Sequence, residues 1–152
     1  MISKYEIFTS SVACISRDIQ RIERVEMAKY GMKGPHAHCL LVLNRYPKGI
    51  TATQLSELCE RDKAAISRIV SELEEAGMVY RKVRNGILYR APLLLTKKGA
   101  QAAAAVNQRA QLAVEQAGEG LDDDQREVFY RVLTLIAGNL HAICKDGLQE
   151  TE

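Results

Sequence analysis

A basic segment between residues 78 and 98 is the part of this 152-residue chain best suited to bind an anion. It holds six basic residues and no Asp or Glu, whereas residues 99–152 hold four basic and nine acidic residues. A local charge of this size suits contact with the phosphates of a polyanion. The alternative is a solvated basic surface that has no partner. The six basic residues are Arg81, Lys82, Arg84, Arg90, Lys97 and Lys98.

A tight turn divides this basic segment. In "YRKVRNGILYRAP" the pair Asn85-Gly86 lies between two runs rich in Val, Ile, Leu and Tyr. Both residues accept positive φ, which a type I′ turn requires at its two central positions. The pattern therefore predicts a β-hairpin over about residues 80–95.

Two short helices are predicted directly before the hairpin. Thr51 and Gln54 have the T-x-x-Q spacing of a capping box at the start of the first helix. Asp62 is the expected N-cap of the second helix, which Gly77 ends. The apolar stripes expected to face the core are Leu55, Leu58 and Cys59 on the first helix, and Ile66, Ile69, Val70 and Leu73 on the second.

Two short helices followed by a basic hairpin predict a winged helix-turn-helix. The second helix, at about 63–76, would enter the major groove of DNA, and the hairpin would contact the flanking backbone or the minor groove. Arg68 is the strongest candidate for a base or phosphate contact, and the alternative is a surface ion pair with Glu72 four residues on. The expected DNA contacts are Thr53, Lys63, Ala64, Ser67, Arg68, Arg81, Lys82, Arg84, Asn85 and Arg90.

Other interpretations of these residues remain open. Thr51, Thr53 and Gln54 fit helix capping at least as well as phosphate contact. A winged helix that binds only another protein is the rival function, although an acid-free hairpin favours DNA. Steep weakening of DNA binding by salt would separate the two functions.

Long helices are expected at both ends of the chain, at about residues 3–30 and 97–146. Each carries apolar residues at alternating spacings of three and four, which is typical of a helix–helix seam. These seams predict a homodimer, and the alternative is that they pack within one subunit. A two-fold dimer would require a near-palindromic DNA site. The seam residues are Tyr5, Phe8, Val12, Ile15, Phe129, Leu133, Ile136 and Leu140.

The stretches "GITATQLSELCERDKAAISRIVSELEEAGMVYR" and "LLLTKKG" resemble the MarR family of bacterial transcriptional regulators. The resemblance extends over nearly the whole chain. It implies an obligate homodimer with interlocked terminal helices that binds a palindromic operator, usually as a repressor released by a small ligand. It also implies a ligand pocket between the dimer helices and the DNA-binding lobe, where Tyr30, His36 and His38 would lie. The recognition-helix pattern is carried by Ser67-Arg68, Ile69-Val70, Leu73-Glu74 and Gly77.

The hairpin departs from the family pattern at two positions. Most members carry an Asp-x-Arg pair shortly before the Leu-Thr that ends the wing, and the Arg enters the minor groove. Aligned on Leu95-Thr96, those positions hold Ile87 and Tyr89. Arg84 and Arg90 are the nearest basic residues that could take over the contact.

The four cysteines are widely spaced and are expected to be reduced thiols. A reactive thiol needs exposure and nearby positive charge. Cys14 lies near Arg17 and Cys144 beside Lys145, which leaves a thiol-responsive sensor as an alternative function. Cys39 and Cys59 fall on apolar helix stripes and are expected in the core.

The run "HAHC" (His36 to Cys39) has residue types that bind zinc. His36 and Cys39 would share one helix face while His38 points elsewhere, and no second ligand pair stands nearby in sequence. We therefore expect neither a metal nor another cofactor, although a metal-responsive sensor remains an alternative.

The predicted fold class is mainly α with a small β-hairpin wing, in a single domain over residues 1–152 with its winged lobe at about 35–98. No run of 18 apolar residues and no export signal are present, so a cytoplasmic protein is expected. Nucleophile-elbow, phosphate-loop and metalloprotease motifs are missing, so no catalytic residue is predicted. The expected function is that of a sequence-specific regulator bound to double-stranded DNA.

Overall fold

The computed structural model describes residues 1–150. These residues form six helices and one antiparallel pair of strands, which confirms the predicted class. The elements are α1 (Lys4–Ala28), α2 (Gly34–Asn44), α3 (Ala52–Cys59), α4 (Lys63–Glu75), β1 (Val79–Arg81), β2 (Leu93–Leu95), α5 (Lys97–Ala117) and α6 (Asp123–Asp146).

Two compact units make up the chain, Met1–Ala113 and the residues from Val114 onward. The single domain and its lobe boundaries therefore stay predictions. None of the helices within residues 1–150 is long and apolar enough to cross a membrane.

The first unit is built around a core that α2, α3, α4, the strands and the first half of α5 share. Its largest fully buried side chains include Leu40, Leu55, Ile66, Leu73 and Leu93. α1 adds only Glu26 and Met27 to the buried set. Glu26 lies 3.7 Å from Arg109 of α5, so an ion pair joins the C-terminal end of α1 to that helix.

One predicted core residue is wrong. Leu58 is 45% exposed, and Ser56 is buried instead between Leu55 and Cys59. The Ser56 hydroxyl donates a 2.5 Å hydrogen bond to the carbonyl oxygen of Arg61, so its polar group is satisfied inside the fold. Because that hydroxyl is hydrogen-bonded, Ser56 can be buried on the inner face of α3 while Leu58 remains exposed.

The wing is a short ladder with a long tip. Val79 pairs with Leu95 and Arg81 with Leu93, and a further bridge joins Leu93 to Ile50 just before α3. Asn85 and Gly86 have φ of 53° and 71°, which confirms the predicted turn.

The regular strands are shorter than the predicted hairpin. Pro92 has no N–H to donate to a ladder, and Arg90 adopts a φ of 55°, so extended pairing cannot continue through them. In the described tip, Arg84 and Ile87 form an isolated bridge.

The "LTKKG" segment joins the end of α4 to the start of α5. The Thr96 hydroxyl donates to the carbonyl oxygen of Gly77 at 2.6 Å and accepts from the amide of Gly99 at 3.1 Å. Lys98 caps the carbonyl of Ala76 at 2.8 Å. A Cβ at Gly99 would lie 1.9 Å from the carbonyl oxygen of Met78, so only glycine fits this position.

The second unit contains α6. Asp122 and Gln125 form the predicted capping box, with contacts of 2.8 and 3.0 Å between the side chain of each and the amide of the other. Arg126 donates to the carbonyl oxygen of Gly118 at 2.6 Å and so closes the turn before the helix. No residue of α6 is buried in the single chain.

Candidate nucleic-acid interface

The N-terminal half of α4 presents a polar face away from the core. The carboxylate of Asp62 accepts from the amide of Ala65 at 2.7 Å, which confirms the predicted N-cap and sets where the helix begins. The predicted inward stripe Ile66, Ile69, Val70 and Leu73 is buried. All four residues expected to face outward are exposed: Lys63, Ala64, Ser67 and Arg68.

Arg68 does not pair with Glu72. The carboxylate of Glu72 lies 2.5 Å from Nε2 of His36, which belongs to α2. Within residues 1–150 Arg68 makes no ion pair. The surface-pair alternative is therefore wrong, and the guanidinium is available to a ligand.

His36 connects α2 to α4, a role that the sequence analysis missed. Its Nδ1 accepts from the amide of Lys33 at 3.1 Å, so Nε2 is the ring nitrogen that donates to Glu72. The residue is only 4% exposed. His36 is the third residue of α2, a position from which a side chain can contact the backbone just before the helix. The contact with Lys33 could therefore have been predicted from the sequence, whereas no local pattern predicted the contact with Glu72.

The basic residues of the wing divide into two groups. Lys82, Arg84 and Arg90 are exposed, as is Asn85 at the turn. Arg81 is half-buried and donates from Nε to Glu74 at 3.0 Å. Arg81 therefore ties the wing to α4, and its charge is partly neutralised before any ligand binds.

A cleft of about 450 Å³ lies where the start of α3, the start of α4 and the wing meet. It brings together four of the predicted DNA contacts, Thr53, Lys63, Arg81 and Arg90. Three of the four are cations, so the cleft attracts anions.

Thr51 is occupied by capping, as the alternative interpretation expected. Its hydroxyl accepts from the amide of Gln54 at 3.2 Å, and the side chain of Gln54 accepts from the amide of Thr51 at 2.9 Å. Thr53 is exposed and remains a candidate contact.

Tyr89 occupies the position where the family pattern has Arg. The residue is 76% exposed, and the centre of its ring lies 5.3 Å from the guanidinium carbon of Arg90. This distance is within the range of a cation–π contact. Ile87 and Leu88 are also exposed, so the wing tip presents apolar side chains as well as charges.

The three residues expected to line a ligand pocket have different surroundings. Tyr30 packs against the core, His36 is engaged with Glu72, and His38 is exposed. None of them lines the wing cleft or a second cleft of about 470 Å³ at the start of α6. Although His38 reaches the surface, burial of part of its side chain lowers its pKa, and the charges of Arg61 and Arg45 lower it further.

The cysteines have the burial that their positions predicted. Cys39 and Cys59 are buried, and their sulfur atoms lie 3.8 Å apart. Cys14 and Cys144 are exposed, and the Cys14 thiol donates to the carboxylate of Asp18 at 3.6 Å. Within residues 1–150, no three His, Cys, Asp or Glu side chains are grouped to hold a metal ion.

The predicted seams lie on the surface of the single chain. Among the four residues of the α1 seam, exposure ranges from 39% for Phe8 to 74% for Tyr5. In α6, Phe129, Leu133 and Leu140 are exposed and Ile136 is intermediate. The two apolar stripes are thus open to a partner, but the homodimer itself stays a prediction.

Residues 30–86 match the model of the MarR family. Over this segment, which contains the helix-turn-helix, the chain resembles the MarR family. The match begins before α2 and ends at the wing turn, so the departing positions Ile87 and Tyr89 lie just outside it. The resemblance expected from the sequence is confirmed.

Solved structures of MarR-family regulators share the fold of this chain. A MarR transcriptional regulator from Methanosarcina mazei Go1 is 24% identical, with a TM-score of 0.79 over 93% of this chain and 94% of that one. A regulator from Silicibacter pomeroyi is 19% identical, with a TM-score of 0.74 over 91% and 92%. MepR, a regulator of the Staphylococcus aureus multidrug efflux pump MepA, is 18% identical, with a TM-score of 0.67 over 88% and 98%. Comparison with curated protein sequences finds no match.

Proposed function

We propose that this protein is a transcription regulator that binds double-stranded DNA with sequence specificity. The observation that carries the proposal is the unpaired, exposed Arg68, which lies with Lys63 and Ser67 on the outer face of α4. A helix of this kind reads base edges through its N-terminal residues when it enters the major groove. The MarR-type fold supports the same role.

The wing supplies the contacts that do not depend on base sequence. Lys82, Arg84 and Arg90 are exposed and carry positive charge, which suits phosphates beside the recognition site. Arg81 contributes less, because Glu74 already neutralises part of its charge. The cationic cleft beside Lys63 is where the backbone would pass between α4 and the wing.

The proposed active form is a homodimer. The exposed apolar stripes of α1 and α6 support this assembly, because burying them against a second copy removes apolar surface from water. Two-fold symmetry would present two copies of α4 to the DNA and would require a near-palindromic operator. Repression, with release by a small molecule that binds one dimer spacing better than another, completes the proposal.

The proposal assigns no catalytic activity, and it places the protein in the cytoplasm beside its operator. The rival function, a winged helix that binds only another protein, would leave Arg68 and the wing cations without a role.

The deciding experiment is selection of bound sequences from a random pool of double-stranded DNA. We expect enrichment of a near-palindrome whose half-sites are centred about 10 base pairs apart. Affinity for the selected site should fall steeply with salt, as it does for proteins that contact six or more phosphates. A pool that shows no enrichment would favour the protein-binding alternative.

Two double variants test whether α4 is the reading element. Lys63→Ala/Arg68→Ala should abolish enrichment. Arg17→Ala/Arg21→Ala removes the same two charges from the exposed face of α1 and should leave the selected sequence unchanged. Equal loss in both would mean that net charge alone, and not the helix, drives binding.

A further inference from the structure

Two thiols face one another in the core of the winged lobe. Cys39 of α2 is fully buried and Cys59 of α3 is 5% exposed, with 3.8 Å between their sulfur atoms. Neither has a role in the proposed DNA contacts. A disulfide needs sulfur atoms about 2.05 Å apart, so a movement of less than 2 Å separates this pair from a covalent bond.

The position of Cys59 connects this pair to the DNA-binding face. Cys59 is the last residue of α3. Glu60 then adopts a left-handed φ of 51°, and Asp62 caps the start of α4. The hydroxyl of Ser56 holds the carbonyl of Arg61 inside the same turn. A shift of Cys59 toward α2 is therefore transmitted over three residues to the N-terminus of the recognition helix.

We propose that Cys39 and Cys59 form a redox-active dithiol that a hydroperoxide converts into a disulfide between α2 and α3. Two thiols and one hydroperoxide give one disulfide, one alcohol and one water. The O–O bond of the hydroperoxide breaks, the peroxide is reduced by two electrons and the two sulfur atoms are each oxidised by one. A thiol reductant reverses the reaction by exchange.

Cys59 is the thiol that reacts first. It is the more exposed of the two, and the hydrogen bond from Cys39 lowers its pKa, with help from the nearby charges of Arg61 and Arg45 and against the effect of burial. The same hydrogen bond, together with burial, raises the pKa of Cys39. The Cys59 thiolate attacks the peroxide and becomes a sulfenic acid, and Cys39 then attacks that sulfur and releases water.

The exposed cysteines are not part of this redox-active dithiol. Cys14 lies against the carboxylate of Asp18, and neither Cys14 nor Cys144 faces another thiol within the described residues. Oxidation of either would yield a sulfenic acid or a link between two chains. Among the four cysteines, only the buried pair lies close enough for a movement of less than 2 Å to allow an intramolecular bond.

The chemical test uses the full-length Cys14→Ser/Cys144→Ser variant, which retains only the buried pair. Folded protein is treated with hydrogen peroxide, and free thiols are alkylated before digestion and mass spectrometry. We expect loss of two hydrogen atoms per chain, a peptide that links Cys39 to Cys59, and full reversal by dithiothreitol. Thiols that stay free, while peroxide oxidises Cys14 and Cys144 in the parent chain, would overturn the proposal.

Two single-thiol variants keep the result interpretable. Cys39→Ala in the same background should stop at the sulfenic acid of Cys59, which dimedone traps. Cys59→Ala should give little trapped product, because the remaining thiol is fully buried. Equal dimedone labelling of both variants would contradict the order of attack.

The regulatory consequence rests on the proposed function. If the protein binds DNA, the disulfide should change affinity for the selected site by about tenfold or more, a usual size for coupling between two sites. An unchanged affinity would overturn the regulatory role, although the disulfide would stand on the mass measurement. Failure of both reduced and oxidised protein to bind any DNA would instead refute the proposed function.

Discussion

His36 of α2 and Glu72 of α4 are in contact at 2.5 Å, and this contact leaves Arg68 without a carboxylate partner. The imidazole is buried, while the Glu72 side chain is half-exposed. The pair therefore does two things. It holds the recognition helix against α2 at one position, and it leaves the strongest candidate for a base contact free to meet DNA.

Replacing Glu72 tests whether its contact with His36 stabilises the fold. Glu72→Ala would leave Nε2 of His36 without its acceptor in a buried site, at a cost of about 1 kcal/mol or more in the free energy of unfolding. Urea denaturation measures this change in the free energy of unfolding. Glu75→Ala is the matched control, because Glu75 is exposed on the same helix and its side chain makes no ion pair within residues 1–150. Equal effects of the two substitutions would deny the His36 contact any stabilising role.

Arg68 and Arg84 should differ in the kind of binding that each supports. Arg68→Ala should cost about 1–3 kcal/mol on the preferred DNA site and relax its sequence preference, because a base contact is lost. Arg84→Ala should weaken all sites alike and reduce the salt slope by about one, because a phosphate contact is lost. Fluorescence anisotropy at several salt concentrations distinguishes them. Identical behaviour of the two variants would refute the assignment of separate roles to α4 and the wing.

Gly99 should tolerate no side chain. A Cβ there meets the carbonyl oxygen of Met78 at 1.9 Å, so Gly99→Ala must push α5 away from the end of α4. We expect a loss of about 1–3 kcal/mol, in the range of overpacking substitutions. Gly138→Ala on α6 is the control, since nothing lies within 4 Å of the added Cβ and alanine favours a helix by about 1 kcal/mol. An equal fall in the Tm of both variants would contradict the close approach of Gly99 to the carbonyl of Met78.

The dimer is tested on α6 with one substitution at two nearby positions. Leu133→Asp places a charge on the predicted seam, whereas Leu135→Asp places it off the seam at a position that is 62% exposed. Light scattering should give a molar mass of twice 16.9 kDa for the parent chain and for Leu135→Asp. It should give 16.9 kDa for Leu133→Asp. A monomeric parent chain would remove the homodimer from the proposal.

His38 should make the stability of the fold depend on pH. Because partial burial lowers its pKa in the folded state, the unfolded chain binds the proton first as pH falls below about 6.5. The stabilisation is thus fully present above that pH and is lost as pH falls toward the folded pKa. His38→Gln should flatten the fall in Tm between pH 7 and 5 more than His141→Gln, a substitution at an exposed site on α6. Parallel profiles for the two variants would show that His38 makes no contribution.

The local sequence determined where most elements of this protein begin and turn. Thr51 with Gln54, Asp62, Asp122 with Gln125, and the Asn85-Gly86 turn all act through atoms no more than three residues apart. Such contacts depend little on the rest of the fold, so their spacing is sufficient to predict them. The outward face of α4 follows from the same helical periodicity.

The tertiary structure alone decided the partners of those elements. Glu72 meets His36 across 36 residues, and Cys59 meets Cys39 across 20. Arg81 meets Glu74 because the wing folds back on α4, and Leu58 turns outward because Ser56 finds a carbonyl in the next turn. No periodicity or capping rule links His36 to Glu72 or Cys39 to Cys59, because their approach depends on how the helices pack around the shared core. That packing determined which cation is free for DNA and which two thiols can react.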